Sequence, residues 1–245
     1  MSATQPIVKA RLPRHATLVR VTHWLTVVAF LALAFTGGEI ILTHPRFYLG
    51  EVGNVNTKPL FTLPIPSSRD TVPTGFGYVL SDQNGWSRAL HFQAAWLLVL
   101  TGLVYVLWGL FRSHFRRHML PERSPRFLSA LGQAFLKSLR FTRSGKDDAD
   151  SYNPLQRVSY LIVIFVLFPL VIWTGLAMSP SFTASFPATV ILLGGRQTAR
   201  TLHLFVSLAL VAFLFVHLAM IALAGFWRRT RAMITGHAAS AKEEA

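Results

Sequence analysis

Apolar residues bunch into four blocks, about Leu18–Leu42, Leu90–Phe111, Val158–Met178 and Thr201–Phe226, with polar and charged residues collected between them. Each block approaches or exceeds the ~20 residues that an α-helix needs to cross the hydrocarbon layer. A soluble chain of this length would scatter its apolar positions around one core. The pattern therefore predicts an all-α membrane protein, a four-helix transmembrane bundle in a single domain over 1–245. Its helices are expected at about 18–42, 88–111, 156–178 and 199–226. The first block follows a basic, polar leader and is too long for a secretory h-region, so it is read as helix one and not as a signal peptide. Pro169 reads as a tolerated kink, and Gly175 as ordinary packing.

Charge then orients the bundle. The first 22 residues carry four basic groups and no acids, residues 112–157 carry ten against four, and the tail from Phe226 carries four against two. The stretch 43–87 has three of each sign, and 179–199 has only Arg196. By the positive-inside rule both termini and the 112–155 loop are expected to be cytoplasmic, and the 43–87 loop outside. A net charge of +14 invites a nucleic-acid reading, but these charges flank membrane helices, and lipid headgroups account for them. The outer loop is rich in Pro and Gly, and its Phe47, Tyr48, Phe61, Phe76, Tyr78 and Trp86 favour docking of a partner, or equally a cap over the bundle. The inner loop holds an amphipathic stretch near Phe127–Phe141 suited to the headgroup region. No internal repeat stands out.

Four histidines supply the chemistry. His23, His91, His203 and His217 lie near the ends of the apolar blocks. His203 and His217 are 14 residues apart on one run, roughly 21 Å along a helix and nearly on one face. Depth pairs His23 with His217 and His91 with His203, which describes one inner and one outer six-coordinate haem b. Arg20, Arg88 and Arg200 each precede one of these histidines by three, on the same helix face, and are expected to meet haem propionates. Gly37 and Gly102 are in phase with His23 and His91 and are expected to clear space for the macrocycles. Helix three carries no histidine and reads as packing. Glu39 is the only acid inside an apolar block, which argues against a proton or metal-ion path. His15, His44, His114, His118 and His237 read as solvated, with His44 a minor contact to an outer partner or haem edge. Absence of cysteine excludes disulfides, thiolate-ligated iron and covalent haem attachment.

The segments RVTHW (20–24), RALHFQAAW (88–96), YNPLQRVSY (152–160) and ARTLHLFVSLALVAFLFVHL (199–218) resemble the bacterial cytochrome b561 and hydrogenase/formate-dehydrogenase cytochrome b superfamily, from about Leu18 to Trp227. That resemblance implies a bacterial inner-membrane protein with two haems b, ligated by the same four histidines in the same pairs, exchanging electrons with quinone. The YNPLQ segment looks most like the branch that partners periplasmic molybdopterin oxidoreductases. The leading expectation is a membrane-anchor subunit linking the quinone pool to such a periplasmic redox protein. Arg14, His15, Tyr105 and Arg112 are weak candidates for the quinone headgroup. An alternative is a self-contained quinol-dependent oxidoreductase that passes electrons to a small oxidant such as superoxide, with Arg88, Arg196 and Arg200 lining an open anion pocket. A transporter free of haem is a third reading.

Overall fold

The computed structural model describes residues 16–54, 56–65, 76–116, 132–133, 154–223 and 225–236; side chains of 76–84 and 154–155 are outside this description. The chain folds as α1 (Thr17–Thr43), a minimal antiparallel pair β1 (Arg46–Phe47) and β2 (Phe61–Thr62), α2 (Phe76–Phe111) and α3 (Pro154–Ile162). A π-helical turn, Val163–Leu167, joins α3 to α4 (Phe168–Met178). Then follow α5 (Pro180–Ser185), α6 (Ala188–Ile191), α7 (Arg196–Leu223) and α8 (Phe226–Thr235). Among the described residues four helical stretches are long and apolar enough to span a membrane: Thr17–Thr43, Gly85–Phe111, Gln156–Met178 and Arg196–Leu223. The molecule is an all-α membrane bundle.

Its packing is inverted relative to a soluble protein. Phe35, Leu110, Phe111 and Phe215 face outward, as side chains solvated by lipid must. Small polar residues fill the inside: Thr22, Thr36, Ser87, Thr101, Thr174 and Thr201 are buried. In lipid every polar group needs an internal partner, and Thr22, Thr36 and Thr174 each donate their hydroxyl to the carbonyl four residues earlier. The helices pair as α1 with α2 and α4 with α7. A small apolar core of Val163, Val206 and Leu210 joins the third span to α7, with Phe30 of α1 packed against it.

Three departures from the hydrophobic pattern have physical causes. First, α2 starts at Phe76 and not near Arg88, its opening residues Phe76–Leu80 being separated from the apolar block by the polar run Ser81–Asn84. Second, the third span widens into its π turn just before Pro169. Proline offers no N–H and its ring crowds the carbonyl four residues back, a conflict that a wider turn relieves. Third, the last block is broken at Gly225 (φ 96°), whose left-handed backbone turns the chain into a separate α8.

The first half of the 43–87 connection folds back onto the start of α7. The Gly50 carbonyl accepts from the backbone N–H groups of Gln197 and Thr198 at 2.9 and 3.2 Å, and the Gly50 N–H donates to Thr198 Oγ1 at 2.7 Å. The Glu51 carboxylate accepts from the Arg196 N–H at 2.8 Å. The first amides of a helix need such acceptors, and a carboxylate there also suits the helix dipole. Phe47 and Tyr48 are 2% and 6% exposed. Phe47 stacks on Phe61, which packs against Phe205 of α7. These three aromatics are therefore an internal cap on the bundle and not a free docking surface. Trp86 stays exposed beside Phe35. The side chains of Phe76 and Tyr78, most of the 127–141 stretch, and His15, His118 and His237 lie outside the described residues.

Gly195 is the tightest joint of this cap. Its φ is +110°, and a Cβ there would collide with the Gly50 backbone. Gly195→Ala should lower stability by more than the ~1–2 kcal/mol of a left-handed residue alone, since the cap must also shift. Gly38→Ala, in open helical surroundings, should leave the melting temperature unchanged or slightly raised. Thermal unfolding of both variants in detergent checks this; equal melting temperatures would refute the joint.

Candidate functional site

Two of the four histidines meet edge-on. The rings of His91 on α2 and His203 on α7 have centroids 6.4 Å apart, with their planes at 61°. Each is held from behind by a different helix. The Thr36 hydroxyl of α1 lies 2.9 Å from His91 Nδ1, and the Thr174 hydroxyl of α4 lies 3.0 Å from His203 Nδ1. Both threonines are fully buried. Each hydroxyl points its one proton at its own helix, Thr36 to the Ala32 carbonyl at 2.7 Å and Thr174 to the Leu170 carbonyl at 2.8 Å. What remains on each oxygen is acceptor capacity. The imidazoles therefore donate through Nδ1–H, and Nε2 is left as the lone-pair nitrogen of each ring.

Each imidazole packs beside a glycine of the neighbouring helix, at distances where an added Cβ would make ordinary contact. A Cβ on Gly37 would sit 3.7 Å from His91 Cε1, and one on Gly175 would sit 3.4 Å from His203 Cε1. Phe35–Thr36–Gly37 on α1 and Trp173–Thr174–Gly175 on α4 are thus the same device used twice. The third span is more than packing. Thr36, Thr174 and Gly175 contact the imidazoles and carry no such role in the sequence reading; the signal is an aromatic–Thr–Gly triplet in the first and third apolar blocks.

The polar surroundings of this pair are built by the cap. His44 follows α1, and its Nδ1 lies 2.6 Å from Thr43 Oγ1. The Arg88 guanidinium approaches His44 Nε2 at 3.4 Å, and Arg200 donates to the His44 carbonyl at 2.5 Å. Arg200 also lies over the Phe47 ring, 4.9 Å from its centre, a stacked position that guanidinium favours. His44 is therefore the junction where Arg88 and Arg200 converge, half-buried and not simply solvated. Arg196 is bound to Glu51 and to Thr183. Each of these three arginines thus has a partner within the protein, Arg88 and Arg200 on His44 and Arg196 on Glu51 and Thr183.

The other two histidines sit at the opposite end. The ring of His23 on α1 is edge-on to Trp24 at 5.3 Å. His217 on α7 stacks on Phe213 at 5.7 Å and meets Tyr160 edge-on at 6.2 Å. Arg20 does not extend toward a shared site with His23. It donates to the Ile234 carbonyl at 2.7 Å and to Thr17 Oγ1 at 3.1 Å, while Trp24 Nε1 donates to the Met233 carbonyl at 3.2 Å. Together they cap the last carbonyls of α8, where positive charge is favoured. A Cβ on Gly102 would meet nothing within 4 Å. Tyr105 packs edge-on against His114 and Phe115, Arg112 is exposed, and Arg14 and His15 lie outside the described residues. Among the described residues no three His, Cys, Asp or Glu side chains gather into a metal cluster; His91 and His203 come together as a pair.

Comparison with known proteins agrees with this architecture. The chain is 34% identical over 228 residues to "Putative protein-methionine-sulfoxide reductase subunit YedZ1" of Azospira oryzae, covering 91% of this chain and 96% of that one. It is 26% identical over 209 residues to "Probable Ni/Fe-hydrogenase B-type cytochrome subunit" of Cupriavidus necator, covering 81% and 74%. No solved structure matches significantly. The sequence pattern of prokaryotic cytochrome b561 matches residues 14–236, and the chain belongs to that family of integral membrane b-type cytochromes.

Proposed function

We propose that the protein is a di-haem cytochrome b that carries electrons across the bacterial inner membrane, between the quinone pool and a periplasmic redox partner. The observation that carries this reading is the His91–His203 pair. With ring centres 6.4 Å apart and Nδ1 of each ring bonded to a threonine, the two imidazoles would have Nε2 to offer to a metal-bearing group held between them. The residues fit the group.

Within this reading His91 and His203 hold the outer haem b, and His23 and His217 the inner one. Their levels on the continuous α7 (Arg196–Leu223) are about 21 Å apart along its axis. When bound, the two haems supply one-electron chemistry at each side of the bilayer. The protein's part is to orient ligands and exclude water. Gly37 and Gly175 pack beside the ligand rings on α1 and α4, and the space beside Gly102 on α2 is open. Arg88 and Arg200, converging on His44, form the cationic rim suited to outer propionates. Arg20 holds α8 against α1 beside His23. The aromatic cap over the outer end limits access, which favours delivery to a docked partner over reaction with a diffusing oxidant. The relatives' names point the same way, since both describe subunits of larger redox enzymes. A molybdopterin-dependent oxidoreductase is the class of partner inferred here, with both termini cytoplasmic.

Purified protein should give a reduced-minus-oxidised spectrum of low-spin b-type haem, with about two haems extracted per chain. His203→Ala and His217→Ala should each lower that number to about one, and the losses should add in the double variant. No extractable haem after haem-replete expression would sink the assignment.

Orientation has its own test, helped by a chain without cysteine. A membrane-impermeant maleimide should label Asn56→Cys in spheroplasts, and Ser240→Cys only after lysis. The reverse pattern would invert the topology.

A further inference from the structure

The hydroxyls behind the two imidazoles do more than fill space. We propose that Thr36 and Thr174 are matched positioning residues that hold His91 and His203 as neutral, Nδ1-protonated ligands and so set the reduction potential of the outer haem. This rests on the di-haem reading above.

Four observations carry it. Each hydroxyl is committed to its own helix through bonds to two carbonyls, four and three residues back. Its direction is therefore set before the imidazole is considered. The Cβ branching of threonine restricts χ1 further, as a serine would not. Both threonines are fully buried, so water does not compete for Nδ1–H. Finally, the arrangement occurs twice, on separate helices, with glycine following the threonine each time.

The electronic consequence follows from hydrogen bonding to the ring. An acceptor at Nδ1–H raises the basicity of Nε2. A more basic ligand favours the ferric over the ferrous ion and lowers the potential. A neutral hydroxyl does this more weakly than a carboxylate, because it does not draw the ring toward imidazolate. Two hydroxyls, one per ligand histidine, would give the outer haem moderate tuning from both sides. They also fix the ring planes at their 61° offset, because each ring is tethered to a different helix.

The test is redox titration of the intact protein in detergent, with haem content measured alongside. Thr36→Val and Thr174→Val keep the side-chain shape and delete the acceptor. Each should raise the ferrous-to-ferric ratio of the outer haem at fixed potential by about tenfold, equal to about 59 mV for one electron. The inner-haem midpoint should not move. The low-spin electron paramagnetic resonance signal of the outer haem should broaden or shift as its ring loses its tether. Thr36→Ser and Thr174→Ser should hold the potential near the native one. Should a valine variant not fold, alanine at the same position repeats the test with no methyl to misplace. Full haem content with an unmoved outer midpoint would overturn the inference and leave the di-haem reading standing. Equal shifts at both haems would also overturn it, by showing general loosening. A native protein without haem would remove the reading itself and the inference with it.

Discussion

An imidazole inside a lipid-bound helix bundle presents two nitrogens, and the bilayer satisfies neither. The structure resolves this for His91 and His203 by spending one nitrogen on a threonine of the neighbouring helix. Much else follows from that contact. The ring lies close to α1 or α4, and the residue after each threonine, a glycine, packs beside it. The threonine must already be oriented, so its hydroxyl is bonded back along its own helix. The helices must approach one another, so the inner faces carry Thr, Ser, Ala and Gly while Phe and Leu face the lipid. Helix pairing, inner composition and ligand chemistry meet one requirement together.

The hydropathy blocks announced four spans because membrane insertion reads the same property that the eye reads in the sequence. The positions of His91 and His203 were legible for a related reason, since an ionisable group is costly in an apolar run and stands out. Their partners were not. Thr36 and Thr174 are unremarkable in a membrane helix, where hydroxyls often bond their own backbone. Only the fold shows that each lies opposite a histidine. Gly175 reads as packing in the sequence because the third span has no histidine to set its phase. Its meaning lies across the interface, in the His203 ring.

The cap was obscured for a different reason. Loops have no period, so Phe47, Tyr48 and Phe61 could be read as an exposed surface or as a lid. What decides between them is the start of α7, where free amides and the Thr201 hydroxyl meet Gly50, Glu51 and Tyr48. The lid is seated by backbone hydrogen bonds, which sequence does not advertise. Arg20 illustrates the converse. Its spacing from His23 matches that of Arg88 from His91 and Arg200 from His203, yet its neighbour is the end of α8 and not the cap. Equal spacing placed these arginines on equivalent helix faces without giving them equivalent surroundings.

The bonds from Arg20 and Trp24 to α8 join residues 214 and 209 positions apart. A chain made from its amino end cannot form them until α8 has been made. The end of the bundle that holds His23 and His217 is therefore closed only after all four spans exist. Until then the base of α1 lacks one of its neighbours. The order of synthesis thus sets a late closing step at this end, made by one guanidinium and one indole.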